Sequence, residues 1–186
     1  MKTVSEIIYF ISPLLFAGLI HHLVIIRYNL FSFLSKPIDH NLHFKGKPLL
    51  GKYKTWRGII LVPILSGVGS LIISQIVVIP LSLQTFWVGF LLGVGYTIAE
   101  LPNSFIKRQL NVKAGEKSEN KFRNTFLILD QVDSVAGAII VMLFIYPASV
   151  MLCVSVLLIG SLLHFTVDLY LYKYGYKKLR NNQNQS

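Results

Sequence analysis

Five apolar runs, each long enough to cross a hydrocarbon core as a helix, alternate with three blocks that hold every Lys and Arg of the chain except Lys2. The runs extend approximately from Val4 to Ile26, Ile59 to Pro80, Thr85 to Phe105, Phe126 to Tyr146 and Ser149 to Tyr172. About 20 helical residues span a core roughly 30 Å thick. Inside lipid every backbone N–H and C=O must be satisfied within its own element, which leaves helices as the solution for runs of this kind. The expectation is an all-α, polytopic integral membrane protein with about five transmembrane helices. Composition agrees, because 53% hydrophobic residues and a mean hydropathy of +0.58 stand beside a net charge of +10, a pairing foreign to soluble globular domains. The first run follows a single Lys and ends at Ile25-Ile26-Arg27 rather than at a small-residue cleavage site. It is expected to be a retained helix and not a signal peptide.

The basic blocks set the expected orientation. Seven Lys and Arg lie between Arg27 and Arg57, six between Lys107 and Arg123, and four between Lys173 and Arg180. The positive-inside rule puts all three blocks in the cytosol, the links near Pro80 to Gln84 and Pro147 to Ala148 outside, the N-terminus outside and the C-terminus cytoplasmic. A multi-pass protein of the cell membrane with a cytosol-facing active site is expected. Residues 1–180 read as a single transmembrane catalytic domain and 181–186 as a polar, disordered tail. Topology and attraction to anionic headgroups account for the positive charge, so nucleic acid is not an expected partner. Cys153 stands alone in the fifth run, which excludes a disulfide framework or a cysteine metal site. His21, His22, His40, His43 and His164 lack ligand spacing and read as interfacial or packed side chains.

The acids are few and placed where charge is costly. Beyond Glu6 near the start of the first run, Glu100, Asp130, Asp133 and Asp168 of the eight fall within or at the ends of apolar runs, where a carboxylate needs a partner, water or a cation. Asp130 and Asp133 are three residues apart, hence on one helix face, and can share a ligand or metal. Glu100 is expected at a similar depth. Each acid could instead pair with a Lys or Arg to hold helices together, the preferred reading for Asp168 beside Lys173. Pro102 is expected to break the third helix just after Glu100 and to free backbone groups beside Asn103 and Ser104. Gly67, Gly69, Gly89, Gly93 and Gly95 read as close-packing positions.

Lys54, Thr55, Arg57, Asn103, Ser104, Lys107 and Arg108 supply the fixed cations and neutral donors that a triphosphate needs, while the carboxylates suit a metal ion bridging phosphate oxygens. Arg57, with its planar fork, is expected to make a bidentate phosphate contact, and Trp56 to anchor at the interface or stack on a base. No Walker phosphate loop, Ser-His-Asp order or His-Glu-x-x-His zinc motif is present. Three other classes stay open: a lipid or polyprenol kinase using the same nucleotide phosphates, a small membrane transporter, and a non-catalytic scaffold. The absence of an inverted repeat disfavours transport, and a scaffold leaves the buried acids unexplained.

Pro37-Ile38-Asp39, Gly46-Lys47-Pro48-Leu49-Leu50-Gly51, Lys54-Thr55-Trp56-Arg57-Gly58, Ser104-Phe105-Ile106-Lys107-Arg108 and Asp130-Gln131-Val132-Asp133 together resemble, in order and approximate spacing, the CDP-archaeol synthases, relatives of phosphatidate cytidylyltransferase. The resemblance implies a cytidylyltransferase of phospholipid biosynthesis: CMP passes from CTP to a lipid phosphate, archaetidic-acid-like or phosphatidic-acid-like, giving a CDP-lipid and pyrophosphate. It implies Mg2+ as cofactor, and CTP, a lipid phosphate and membrane lipids as partners. On these motifs Lys54, Thr55, Arg57, Asn103 and Ser104 would bind nucleotide and phosphate, Lys107, Arg108, Asp130 and Asp133 would be catalytic, and Asp130, Asp133 and Glu100 would hold metal. The related synthases commonly carry Gly-Asp where this chain has Ala99-Glu100, and Arg and Gly where it has Gln109 and Asn111. The Pro-Gly-His-Gly-Gly stretch of the bacterial phosphatidate enzymes is missing between Arg108 and Asp130, which places the resemblance on the archaeol-type branch.

Overall fold

Each apolar run becomes one long helix. The computed structural model describes residues 2–77, 83–114 and 122–174; the tail at 181–186 and the middle of the link near Pro80 lie outside them. Helix α1 covers Lys2–Ile20 and runs on through a π-helical turn, His21–Ile26; α2 is Trp56–Val77, α3 Leu83–Gln109, α4 Arg123–Ile145 and α5 Val150–Lys173. Five stretches within them are long and apolar enough to cross a membrane. Local chemistry explains two of the starts. Thr55 precedes α2 and its Oγ1 accepts from the Gly58 N–H at 3.5 Å, while Ser149 precedes α5 and accepts from the Leu152 N–H at 3.2 Å; both are N-cap arrangements that satisfy an orphan donor of the first turn.

Helix α3 is the centre of the bundle, packing along α2 on one side and α4 on the other, with α1 closing against α2 and α5. Small residues let it approach both neighbours. A Cβ at Gly93 would meet Pro63 Cα at 2.6 Å and Ser66 Cβ at 3.1 Å on α2, and one at Gly95 would meet the Gly137 carbonyl oxygen of α4 at 2.5 Å. Between helices in lipid there is little hydrophobic gain, so such backbone proximity and the dispersion contacts it permits supply much of the association. Tyr9, Phe10, Leu92, Val135, Met142, Leu152 and Val156 form a buried apolar cluster joining α1, α3, α4 and α5.

Two expectations change. The helix break at Pro102 does not occur: α3 continues to Gln109 with the proline inside. The lost N–H deprives only the Ile98 carbonyl, and the Ser104 hydroxyl reinforces the same turn by donating to the Glu100 carbonyl at 2.9 Å, the kind of local repair that lets membrane helices carry proline. The segment between α1 and α2 also holds a minimal antiparallel hairpin, β1 at His43–Phe44 and β2 at Lys47–Pro48, where only helices were expected. Lys45 (φ 51°) and Gly46 (φ 76°) turn it, the two-residue left-handed connection that matches strand twist.

The α2–α3 contact generates a stability prediction. Gly93→Val should destabilise the bundle by about 1–3 kcal/mol, the range for overpacking a close contact, and lower the thermal midpoint of the detergent-purified protein; an unchanged midpoint would show that this approach contributes nothing.

Candidate functional site

The loop before α2 delivers the first cation. Residues 36–38 run antiparallel to 54–56, with the Ile38 N–H donating to the Lys54 carbonyl at 2.9 Å and the Trp56 N–H to the Lys36 carbonyl at 3.1 Å. This pairing fixes the backbone at Lys54, whose ammonium ion-pairs with Glu100 of α3. The loop itself is organised by Asp39, a buried residue whose carboxylate accepts from Asn41 N–H at 3.0 Å, Leu50 N–H at 2.8 Å and Gly51 N–H at 3.2 Å. Lys47 adds a second tie, donating to the Gln109 carbonyl at 2.5 Å, where a cation complements the helix C-terminus. Gly51 (φ 93°) lies against Arg108 and Ala114; a Cβ there would come within 3.4 Å of the arginine Cδ. The loop is thereby seated on the end of α3.

Helices α3 and α4 supply the rest. Asn103 is buried, and its Nδ2 donates at 2.8 Å both to Asp130 Oδ1 and to Asp133 Oδ2. Lys107, one turn further along α3, ion-pairs with Asp130 and lies 5.4 Å from the centre of the Phe126 ring. Ser134 is fully buried; its hydroxyl lies 2.9 Å from Glu100 Oε1 and 3.1 Å from Asp133 Oδ1, and its N–H donates to Asp133 at 2.7 Å. Three carboxylates from two helices are therefore joined through Asn103 and Ser134 and flanked by Lys54 and Lys107. At 1.5 Å per residue, Glu100 and Asp133 both sit roughly 14 Å inside the ends of their helices that face the basic loops.

Lys54, Glu100, Asn103, Lys107, Asp130 and Asp133 thus come together as expected from their chemistry. Other expected residues have structural partners. Arg57 is only 2% exposed and its Nη1 donates to Asn29 Oδ1 at 3.1 Å and the Leu30 carbonyl at 3.4 Å, tying α2 to the chain leaving α1. Thr55 caps α2, and Ser104 bonds back within α3. Arg108 is buried against the loop at Gly51. Trp56 is 39% exposed beside His40. Asp39 and Ser134 received no role from sequence; a lone acid in a polar loop and a serine in an apolar run carry no local signal, although Asp39 does end the first of the recognisable motifs.

Among the described residues, no three His, Cys, Asp or Glu side chains converge closely enough to hold a metal ion by themselves. The donor set nevertheless fits a hard cation. Asp130 and Asp133 offer carboxylate oxygens, and the Asn103 amide between them has a buried Oδ1 with no hydrogen-bond partner among the described residues. Magnesium uses one or two carboxylates and completes its shell with substrate phosphates and water.

A family profile described as CarS-like, CDP-archaeol synthase, matches residues 6–180. The chain is 32% identical over 146 residues to the CDP-archaeol synthase of Thermofilum pendens, a match covering 76% of this chain and spanning 64% of that relative's length. It is 33% identical over 154 residues to the CDP-archaeol synthase of Pyrococcus furiosus, covering 77% of this chain and 82% of the relative. Its fold is similar to a solved intramembrane enzyme for archaeal membrane lipids biosynthesis, with a TM-score of 0.64 and 19% identity over 87% of this chain and 92% of that one.

Three backbone N–H groups converge on one carboxylate at Asp39, so Asp39→Ala should loosen residues 39–51. Losing such charge-assisted bonds costs about 1–3 kcal/mol, and tryptic cleavage within the loop should accelerate roughly tenfold in native detergent-solubilised protein. Cleavage at the wild-type rate would assign the loop's order to other contacts.

Proposed function

The chain belongs to the CarS-like CDP-archaeol synthase family, and from that membership we propose that it transfers CMP from CTP to a membrane lipid phosphate, releasing pyrophosphate. The acceptor proposed is an ether-linked isoprenoid glycerol phosphate of the archaetidic-acid type, and the basic loops and acid cluster face the cytosol, where CTP is available. The observation that carries the reading is the gathering of Asp130 and Asp133 on one Asn103 amide, beside Lys107 and the Lys54–Glu100 pair, inside membrane helices.

The reaction joins two anions. A lipid phosphate oxygen attacks the α-phosphorus of CTP, a new P–O bond forms, the bond from the α-phosphorus to its bridging oxygen breaks, and the electron pair leaves with pyrophosphate. The nucleophile is already ionised and needs no dedicated base. What the protein contributes is approach and neutralisation. Lys54 and Lys107 stand on carboxylates at the site and can exchange those contacts for phosphate oxygens, stabilising charge on the departing pyrophosphate. Asn103 keeps Asp130 and Asp133 on one side of the cleft, and Ser134 holds Glu100 to Asp133. Asp130, Asp133 and Asn103 would hold Mg2+, with Glu100 adjacent; bound there, the ion would neutralise phosphate charge and polarise the α-phosphoryl group. Arg57, Thr55 and Arg108 support the reading by fixing the loop and helix ends that present Lys54 and Lys107.

Purified protein given CTP, Mg2+ and either a diether isoprenoid glycerol phosphate or phosphatidic acid should release pyrophosphate, with the diether lipid the better acceptor. Asp133→Asn and Asp130→Asn should each lower kcat by about a hundredfold or more with the fold retained. Release of CDP would identify a kinase, and folded protein releasing no pyrophosphate with either lipid would refute the assignment.

A further inference from the structure

One turn beyond the acid cluster, away from the basic loops, the wall of the bundle changes character. Tyr96 lies four residues before Glu100 on α3, on the same face. Its hydroxyl lies 3.2 Å from Nε2 of His164 on α5, and the two rings are 5.8 Å apart. His164 sits nine residues before the end of α5, as Glu100 does on α3, so the pair borders the cluster in depth. The other ring nitrogen, Nδ1, is buried with no hydrogen-bond partner among the described residues. Tyr96 and His164 form the polar part of a pocket otherwise lined by apolar groups, among them Leu14 and Leu15 of α1, Val135 of α4 and Val156 of α5. Val135 directly follows Ser134, the hydroxyl that joins Glu100 to Asp133.

Read from the basic end inward, the order is ammonium groups and carboxylates, then the Tyr96–His164 pair, then hydrocarbon. A glycerol-based lipid phosphate presents the same order: phosphate, then the oxygens that join each chain to glycerol, then the chains. One helical turn, about 5.4 Å, is the scale of the step from phosphate to those oxygens. We propose that Tyr96 and His164 recognise a chain-linking oxygen of the acceptor lipid and so select glycerol-based lipid phosphates over simple alkyl phosphates. The proposal rests on the cytidylyltransferase reading only for the identity of the acceptor. When the tyrosine hydroxyl donates to Nε2, the imidazole proton is fixed on Nδ1, and Nδ1–H becomes a donor facing apolar surroundings. Such a donor is costly to leave unmade, and an ether oxygen, or an ester oxygen, satisfies it.

The test measures binding, separately from turnover. Thermal stabilisation of the detergent-solubilised full chain is titrated with a diether glycerol phosphate and with hexadecyl phosphate, for wild type, His164→Leu, His164→Gln and Tyr96→Phe. Wild type should bind the diether lipid about tenfold more tightly than the alkyl phosphate. His164→Leu should abolish that preference, His164→Gln should keep part of it, and CTP-dependent stabilisation should be the same in all four proteins. Should His164→Leu not fold, Tyr96→Phe decides: it keeps the ring and removes the hydroxyl that sets the tautomer, and the preference should fall. A wild type that does not discriminate, or variants that discriminate as wild type does, would overturn the proposal. Intact discrimination without pyrophosphate release would instead count against the cytidylyltransferase reading alone.

Discussion

Ionised carboxylates inside a helix bundle in lipid are stable only when something answers their charge, and this fold is arranged around that requirement. Glu100 is answered by Lys54, which reaches it from a loop far away in sequence, and Asp130 by Lys107 from the neighbouring helix. Asp133 has hydrogen bonds from Asn103 and Ser134 but no ion pair among the described residues. Among the described residues the cluster thus sets three carboxylates against two lysines, which can turn to another anion. A site built from exchangeable ion pairs is suited to ligands that bring both charges, such as a nucleotide with its cation.

The scaffold makes that arrangement possible by placing α3 in the middle. It contributes Glu100, Asn103, Lys107 and Arg108 from successive turns, while its small residues bring α2 and α4 near enough for side chains as short as serine and asparagine to bridge helices. The loop between α1 and α2 acts as an extension of the site. Asp39 gathers its backbone, Lys47 fastens it to the end of α3, and its pairing with residues 54–56 aims Lys54 inward. Arg57, expected to meet phosphate, bonds to Asn29 and Leu30 and steadies the start of the helix that follows.

The five spans were legible to within a few residues, because apolar length is a strong signal and membrane helices have no competing solution. Glu100, Asp130 and Asp133 stood out for a related reason: charge within an apolar run is costly enough to demand an explanation. Partner choice was not legible. Nothing local tells Lys54 from Lys52, or shows that Ser134 would bridge two acids, since those contacts depend on helix rotation and on packing of glycines far away in sequence. The hairpin escaped because strands of two residues are too short for periodicity. Pro102 misled because the rule for proline in a helix interior describes soluble helices, whereas α3 has Ser104 and close neighbours to absorb the lost bond.

The proposed function requires Asp130, Asp133 and Asn103 to form a cation-dependent nucleotide site inside the bundle. Calorimetric titration of CTP into the detergent-purified protein, with and without Mg2+ and with no lipid acceptor present, is the decisive experiment. Saturable binding that requires Mg2+ in the wild type and is lost in Asp133→Asn is expected. CTP binding of equal strength without the metal, or undiminished in Asp133→Asn, would contradict it.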